Sequence, residues 1–264
     1  MNTLRVALSL ITLSCSAALA EEHEGPFRPS SIVRPGPDTE GDTSDRSASY
    51  ITAFSQLRAA DENARGVLGI MPGIGELNVD PQGYRSGFRP SEGEAEPGYF
   101  SVLLEDHKIR AEITAINRVA LYRFTFPESK ESHVLVDISH TLDLFSGGEV
   151  YLRDDKTIEG TAKYAIGPGP AVDVAFSIQF SKPFRRRGMW KNDKVMDGKN
   201  RASADEPSPL GAFVFFYTHE GETILVKIGI SEIDIADARR NLQREFPGWD
   251  FNQVRRESVR AWDQ

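Results

Sequence analysis

Only one cysteine, Cys15, stands in the 264 residues, and it lies within an N-terminal apolar stretch, Val6–Ala18. No disulfide framework and no thiolate metal site can form, so a chain of this size must hold itself together through its core. Long hydrophobic runs are also scarce. Beyond residue 20 nothing approaches the ~20 apolar residues of a membrane-spanning helix, so no membrane span is expected. Positive charge is in deficit, with 31 Lys+Arg against 39 Asp+Glu, a net charge of −8 and a pI near 5.3. That field repels phosphate backbones, which argues against nucleic acid as a partner.

At the N-terminus, Arg5 precedes the apolar stretch and Ala18-Leu19-Ala20 supplies small residues, the pattern of a secretory signal. Cleavage is expected after Ala20, with the periplasm or the exterior as destination. Removal leaves 244 residues and a net charge of −9, since Arg5 is the only charged residue lost. A lipid anchor on Cys15 is the competing use, but Thr12-Leu13-Ser14 is a poor lipobox. The remainder is long enough to bury roughly 70% of its unfolded surface in one large domain.

Residues 21–49 are rich in Glu, Gly, Pro, Ser and Asp, and Pro29, Pro35 and Pro37 forbid regular helix or central strand, so an extended lead-in is expected. Between Tyr50 and Ala64 a weak helical pattern competes with a loop, followed by a short buried strand at Val67–Met71. From Tyr99 the pattern sharpens. Ile109, Ala111, Ile113 and Ala115 alternate with Arg110, Glu112 and Thr114 at the period of a half-buried strand. Similar runs span Val119–Phe126, Val134–Ile138, Val150–Leu152, Thr157–Ile166, Val172–Phe180, Ala212–Tyr217 and Ile224–Ile230. With no helical period between them, these strands predict a mainly β protein built as an antiparallel β-sandwich. The Ser181–Gly211 interval reads as a long polar loop. After it, Ser231 and Asp234 have capping-box spacing ahead of Ile235, Ala238, Leu242 and Phe246, and Asp250 is placed to cap a second helix carrying Phe251, Val254, Val259 and Trp262. The expected organisation is a signal at 1–20, the lead-in at 21–49, the sandwich at 50–232 and one or two C-terminal helices within 233–264.

Several residues carry atoms suited to chemistry. Asp137, His140 and Asp143 recur at three-residue intervals, but on a strand that spacing alternates faces, so solvated strand-end residues are expected rather than a metal site. His107 and His219 have no partner visible in the sequence. Lys182 through Lys191 form a basic, aromatic cluster, suited to an anionic glycan or membrane surface or simply solvated. Within it, Trp190 is a candidate carbohydrate contact if its indole is exposed to stack on a pyranose, with core packing the plainer reading. Asp38, on a Pro-flanked turn, is the second candidate because loop carboxylates suit hydroxyl recognition. Trp249 and Trp262 read as core or interface, and Phe251, Val254 and Trp262 as an apolar patch if the helix has no partner.

Two passages go further. Glu96-Pro97-Gly98-Tyr99-Phe100-Ser101-Val102, followed by Arg110–Ala115 and by Arg123-Phe124-Thr125-Phe126-Pro127, closely resembles the N-terminal domain of glycoside hydrolase family 92, the exo-acting α-mannosidases. Val33–Thr39, Phe180–Phe184, Val226–Ser231, Asn241-Leu242, Glu245 and Trp249-Asp250-Phe251 agree with it. The resemblance implies a sandwich of the galactose-mutarotase-like type, then a linker and a large helical barrel. In that family a glutamic acid protonates the leaving group, an aspartate activates water and a calcium ion helps distort the mannoside, all within the helical domain. On this resemblance the chain has no catalytic residue, no metal and no cofactor of its own, calcium being expected only with the catalytic domain. Its expected partners are a mannose-containing glycan and a separate helical catalytic domain. The alternative is a fragment of a full-length inverting exo-α-mannosidase from a split or truncated gene. Three loops that approach the family's sugar pocket depart from its pattern, at Pro29–Ile32, Ala53–Arg58 and Arg89–Gly93.

Overall fold

A computed structural model describes residues 35–40, 50–56, 66–96, 98–141, 144–165 and 171–262. The signal segment with Cys15, most of the lead-in, the Pro29–Ile32 loop, Leu57, Arg58 and Asp143 lie outside the described residues, as does the side chain of Trp262. Two antiparallel sheets form a sandwich. The first is eight-stranded, in the order β1 (Gly36–Glu40), β2 (Tyr50–Ser55), β3 (Val67–Ile74), β9 (Ser129–Thr141), β16 (Leu210–Thr218), β13 (Arg186–Lys191), β14 (Lys194–Asp197), with β4 (Ser86–Gly87) paired to β2. The second is nine-stranded, in the order β15 (Arg201–Ala204), β10 (Leu144–Leu152), β11 (Thr157–Ala165), β12 (Val172–Phe180), β17 (Glu222–Ser231), β8 (Val119–Phe126), β7 (Ile109–Ile116), β6 (Tyr99–Leu104), β5 (Glu94–Glu96).

Rings from both sheets meet in the space between them. Phe54 of β2 packs on Tyr122 and Phe124 of β8, and Phe216 of β16 packs on Phe180 and Phe184. Burial of such rings is the main force holding the sheets together. Because strands alternate, the neighbours of these residues, Ala53 and Ser55 or Phe213 and Phe215, face away from the second sheet. The far side of the second sheet is covered by helices Ile235–Glu245 and Phe251–Trp262, whose Leu242, Phe246, Phe251 and Val254 form a second core with Tyr99, Val119 and Leu121.

Three expectations need correction. Residues 50–55 form β2 rather than helix or loop, because Ile51, Ala53 and Phe54 are all taken up in the sheet. The sheet begins inside the lead-in: β1 contains Pro37, which an edge strand tolerates because one side of it lacks a ladder partner. The polar loop between Ser181 and Gly211 holds β13, β14 and β15, short strands whose charged residues hide their alternation. At the helix start, Asp234 rather than Ser231 is the N-cap, accepting the Asp237 amide at 2.6 Å, while the Ser231 hydroxyl donates to the Asp237 carboxylate at 2.7 Å. Asp250 accepts the Gln253 amide at 2.9 Å.

Candidate functional site

The outward face of the first sheet carries its buried polar groups. Register places Val195, Trp190, Gly211, Asp137 and Gly69 in one cross-strand row, because paired residues share a face. Next to it, Asp38 pairs with Ala53 on the same face. The β3–β9 register slips between Val67 and Gly69, where Leu68 takes a φ of +59°, a left-handed conformation that disfavours Leu by ~1–2 kcal/mol. Beside the slip, His140 of β9 crosses over Gly69 and its Nε2 lies 2.8 Å from Asp38 Oδ2. Only glycine leaves that path open, since a Cβ at Gly69 would sit 2.8 Å from His140 Cβ and 2.9 Å from Ala53 Cβ.

Asp38 is therefore 1% exposed and held by an imidazole, with the Thr52 hydroxyl donating to its backbone carbonyl at 3.1 Å. Nearby, the Ser55 hydroxyl and Gln56 Oε1 are buried without a hydrogen-bond partner among the described residues, while Gln56 Nε2 donates to Tyr122 Oη. Asp137 accepts from Tyr84 Oη at 3.0 Å, and from the Ser139 amide and hydroxyl at 2.9 and 2.6 Å. Burial, reinforced by the Asp137 charge, raises the Tyr84 phenol, so it stays a donor. Asp137 thus takes Tyr84 and Ser139, while His140, across Gly69 from it, takes Asp38.

Trp190 is fully buried, so the open stacking face a sugar contact requires is missing. Its indole lies across Gly211, where a Cβ would meet Cζ2 at 2.2 Å, and its Nε1 has no hydrogen-bond partner among the described residues. Asp38 and Trp190 share a face but belong to β1 and β13, five strand steps apart, or about 24 Å in a flat sheet. They cannot grip one sugar ring together.

A cleft of about 70 Å³ opens on the same face, lined by Gly73, Glu76, Tyr84, His107 and His133 among others. That is far below the ~300–1,000 Å³ of ordinary small-molecule sites. His133 Nδ1 donates to the Glu131 carbonyl at 3.1 Å, which leaves Nε2 as an acceptor, and burial pushes its pKa down to about 4. The cleft escaped the sequence reading because Gly73 and His133 are sixty residues apart and meet only through the β3–β9 register.

On the second sheet, buried carboxylates clamp the helices. Glu159 receives both guanidinium donors of Arg239, at 2.9 and 2.8 Å, and the Ser177 hydroxyl at 3.0 Å. Glu112 receives Arg123 and, at 2.8 Å, Tyr99 Oη. Burial works to raise both carboxyls, but these hydrogen bonds hold them below the usual range. Each stays ionised near neutral pH, whereas a glycosidic acid must keep its proton there. Glu245 is pushed up by burial, but its Oε2 accepts the Arg118 amide at 2.9 Å and so ties the first helix to the β7–β8 turn. Lys227, 3% exposed and lowered by burial to about 8, donates to the Phe246 and Gly248 carbonyls at 3.3 and 3.1 Å under the Trp249 ring. Gly229 lets the helix approach, since a Cβ there would lie 2.4 Å from the Ala238 carbonyl, and Asn241 Nδ2 donates to the Ile230 carbonyl at 2.9 Å.

Fold and clamp together define a β-sandwich domain with two helices fixed to its back. The chain belongs to the glycosyl hydrolase family 92 N-terminal domain family, whose profile matches residues 23–231. It is 25% identical over 251 residues to an uncharacterized secreted glycosidase of Arthroderma benhamiae, a match covering 82% of this chain and 31% of that protein. A family GH92 α-mannosidase from Bacteroides thetaiotaomicron, solved in complex with mannoimidazole, aligns with a TM-score of 0.79 at 27% identity, covering 90% of this chain and 34% of that one. A GH92 inverting mannosidase of the same bacterium, 20% identical with a TM-score of 0.78, covers 96% and 36% and shares the fold. The chain spans about a third of the length of these relatives.

Proposed function

We propose that this chain is an exported, noncatalytic supporting domain for α-mannosidase-type glycoside hydrolysis, with the acid, the base and calcium held on a separate helical domain. The observation that carries this reading is the back of the second sheet, where Glu159, Asn241, Gly229 and Lys227 fix the segment that leads out of the sandwich. Residues that resemble the family lie in that clamp, whereas of the stretches that depart from it Ala53–Ser55 lies within β2 of the first sheet and Arg89–Gly93 follows β4, which pairs with β2. Support over sugar binding follows from Asp38 and Trp190, the one held by His140 and the other sealed in packing. Purified chain should release no mannose from an aryl α-mannoside and should give no saturable heat with mannose or mannobiosides. Mannose release would place the reacting carboxyls on this chain and sink the reading; saturable heat without hydrolysis would replace support with glycan binding.

The second reading, a fragment of a full-length inverting exo-α-mannosidase, is favoured by a match confined to about a third of each relative. A helical-domain reading frame directly downstream in the DNA would establish it.

A further inference from the structure

In an acidic protein, the segment from Lys182 to Arg201 carries eight cationic residues against two acidic ones. Its strands form an edge in both sheets: β14 ends the first sheet, β15 ends the second, and Lys191 Nζ bridges to the Ser203 carbonyl of β15 at 3.1 Å. Three of the cations are neutralised, Lys182 by Glu222, Arg186 by Asp197 and Arg201 by Glu149. Arg187, Lys191, Lys194 and Lys199 have no carboxylate partner among the described residues. Lys191 and Lys194 face each other directly across the β13–β14 turn, a like-charge pair that works against the hairpin. An unpaired strand edge with uncompensated positive charge gains when an anionic chain lies along it.

We propose that the seam between the β13–β14 hairpin and β15 binds an acidic polysaccharide, whose carboxylate or sulfate groups neutralise Arg187, Lys191, Lys194 and Lys199. A polysaccharide fits better than a membrane because the exposed apolar contribution of the hairpin is confined to the partly exposed Val195, too little to anchor in lipid. It fits better than nucleic acid because Tyr217, the one aromatic ring exposed beside the cluster among the described residues, is already covered by Arg185 at 3.4 Å. Binding at this seam does not depend on the supporting role, so either can fail alone.

The purified full chain is titrated with sodium polygalacturonate, neutral mannan and phosphatidylglycerol vesicles, at low and high salt. Polygalacturonate should bind at low salt and be displaced at high salt, with mannan and vesicles binding far more weakly. Lys194→Glu should weaken polygalacturonate about tenfold while raising the melting temperature, because it converts a repulsive cross-strand pair into an attractive one. Lys108→Glu, on the β6–β7 turn away from the seam, should leave binding unchanged. The proposal is overturned if polygalacturonate fails to bind at low salt, if Lys194→Glu binds as well as the parent, or if vesicles or mannan bind as tightly.

Discussion

At four positions on the outward face of the first sheet, a ring lies across a glycine: Trp190 over Gly211, Phe213 over Gly188, His133 over Gly73 and His140 over Gly69. Each glycine is there because its neighbour needs the space. Gly211→Ala would drive a Cβ to 2.2 Å from the Trp190 indole and 2.5 Å from the Val136 carbonyl, and neither can yield within a sealed sheet. Destabilisation of ~1–3 kcal/mol is expected, read from urea unfolding, together with a changed near-ultraviolet signal from Trp190. His133 gives a pH signature. Its folded pKa of about 4 lies below the unfolded ~6.5, so its contribution is complete above pH ~6.5 and is lost as the pH falls towards 4, because the unfolded chain protonates first. The loss reaches up to ~3 kcal/mol. His133→Phe, which keeps a ring against Phe215, should flatten that acid limb; an unchanged slope would assign it to other groups.

Among the elements, the helix clamp concentrates the charge that the second sheet buries. Arg239→Ala would take the two-point cation from the enclosed Glu159 carboxylate, leaving it Arg153 at 3.4 Å, at a cost of ~2 kcal/mol, and should free the Ile235–Glu245 helix. Limited proteolysis would then cut between Phe246 and Asp250 faster than in the parent chain. Lys227 allows a second check. Its charge is shed near pH 8 while it sits 4.2 Å from the Trp249 ring, so tryptophan emission should titrate with a midpoint near 8 and lose that step in Lys227→Met. These elements also show what a sequence can reveal. Strands β7, β12 and β17 are legible because each keeps a two-residue alternation over most of its length, and β8 because an apolar run, Val119–Tyr122, passes into alternation at Arg123–Phe126. Strands β13 to β15 are not: β14 and β15 are short edge strands, which can carry Arg and Lys where a central strand would need apolar residues, and β13, though paired on both sides, is short and begins and ends on charged residues. Asp38 could be picked out as a carboxylate in the sequence, but its fate depends on His140, 102 residues away, and on a register slip that no local pattern announces.

For the whole molecule, the question is where the folded unit ends. The family profile stops at residue 231, the last residue of β17, yet the sheet it leaves behind cannot face water on both sides. Tyr99, Val119 and Leu121 are buried only because Leu242, Phe246, Phe251 and Val254 lie on them, and Arg255 stacks on Tyr99 while pairing with Glu96. A chain cut after Ser231 would expose that apolar face, take Arg239 away from Glu159 and take the Asn252 acceptor away from Arg123 on the same surface. Exposed sheet faces of this kind self-associate. The truncated chain should therefore bind a hydrophobic dye, sediment as aggregates and melt well below a chain ending at Gln264. If it were instead monomeric and equally stable, the helices would be appendages rather than part of the sandwich, and the clamp could not transmit the position of the sheet to anything beyond it.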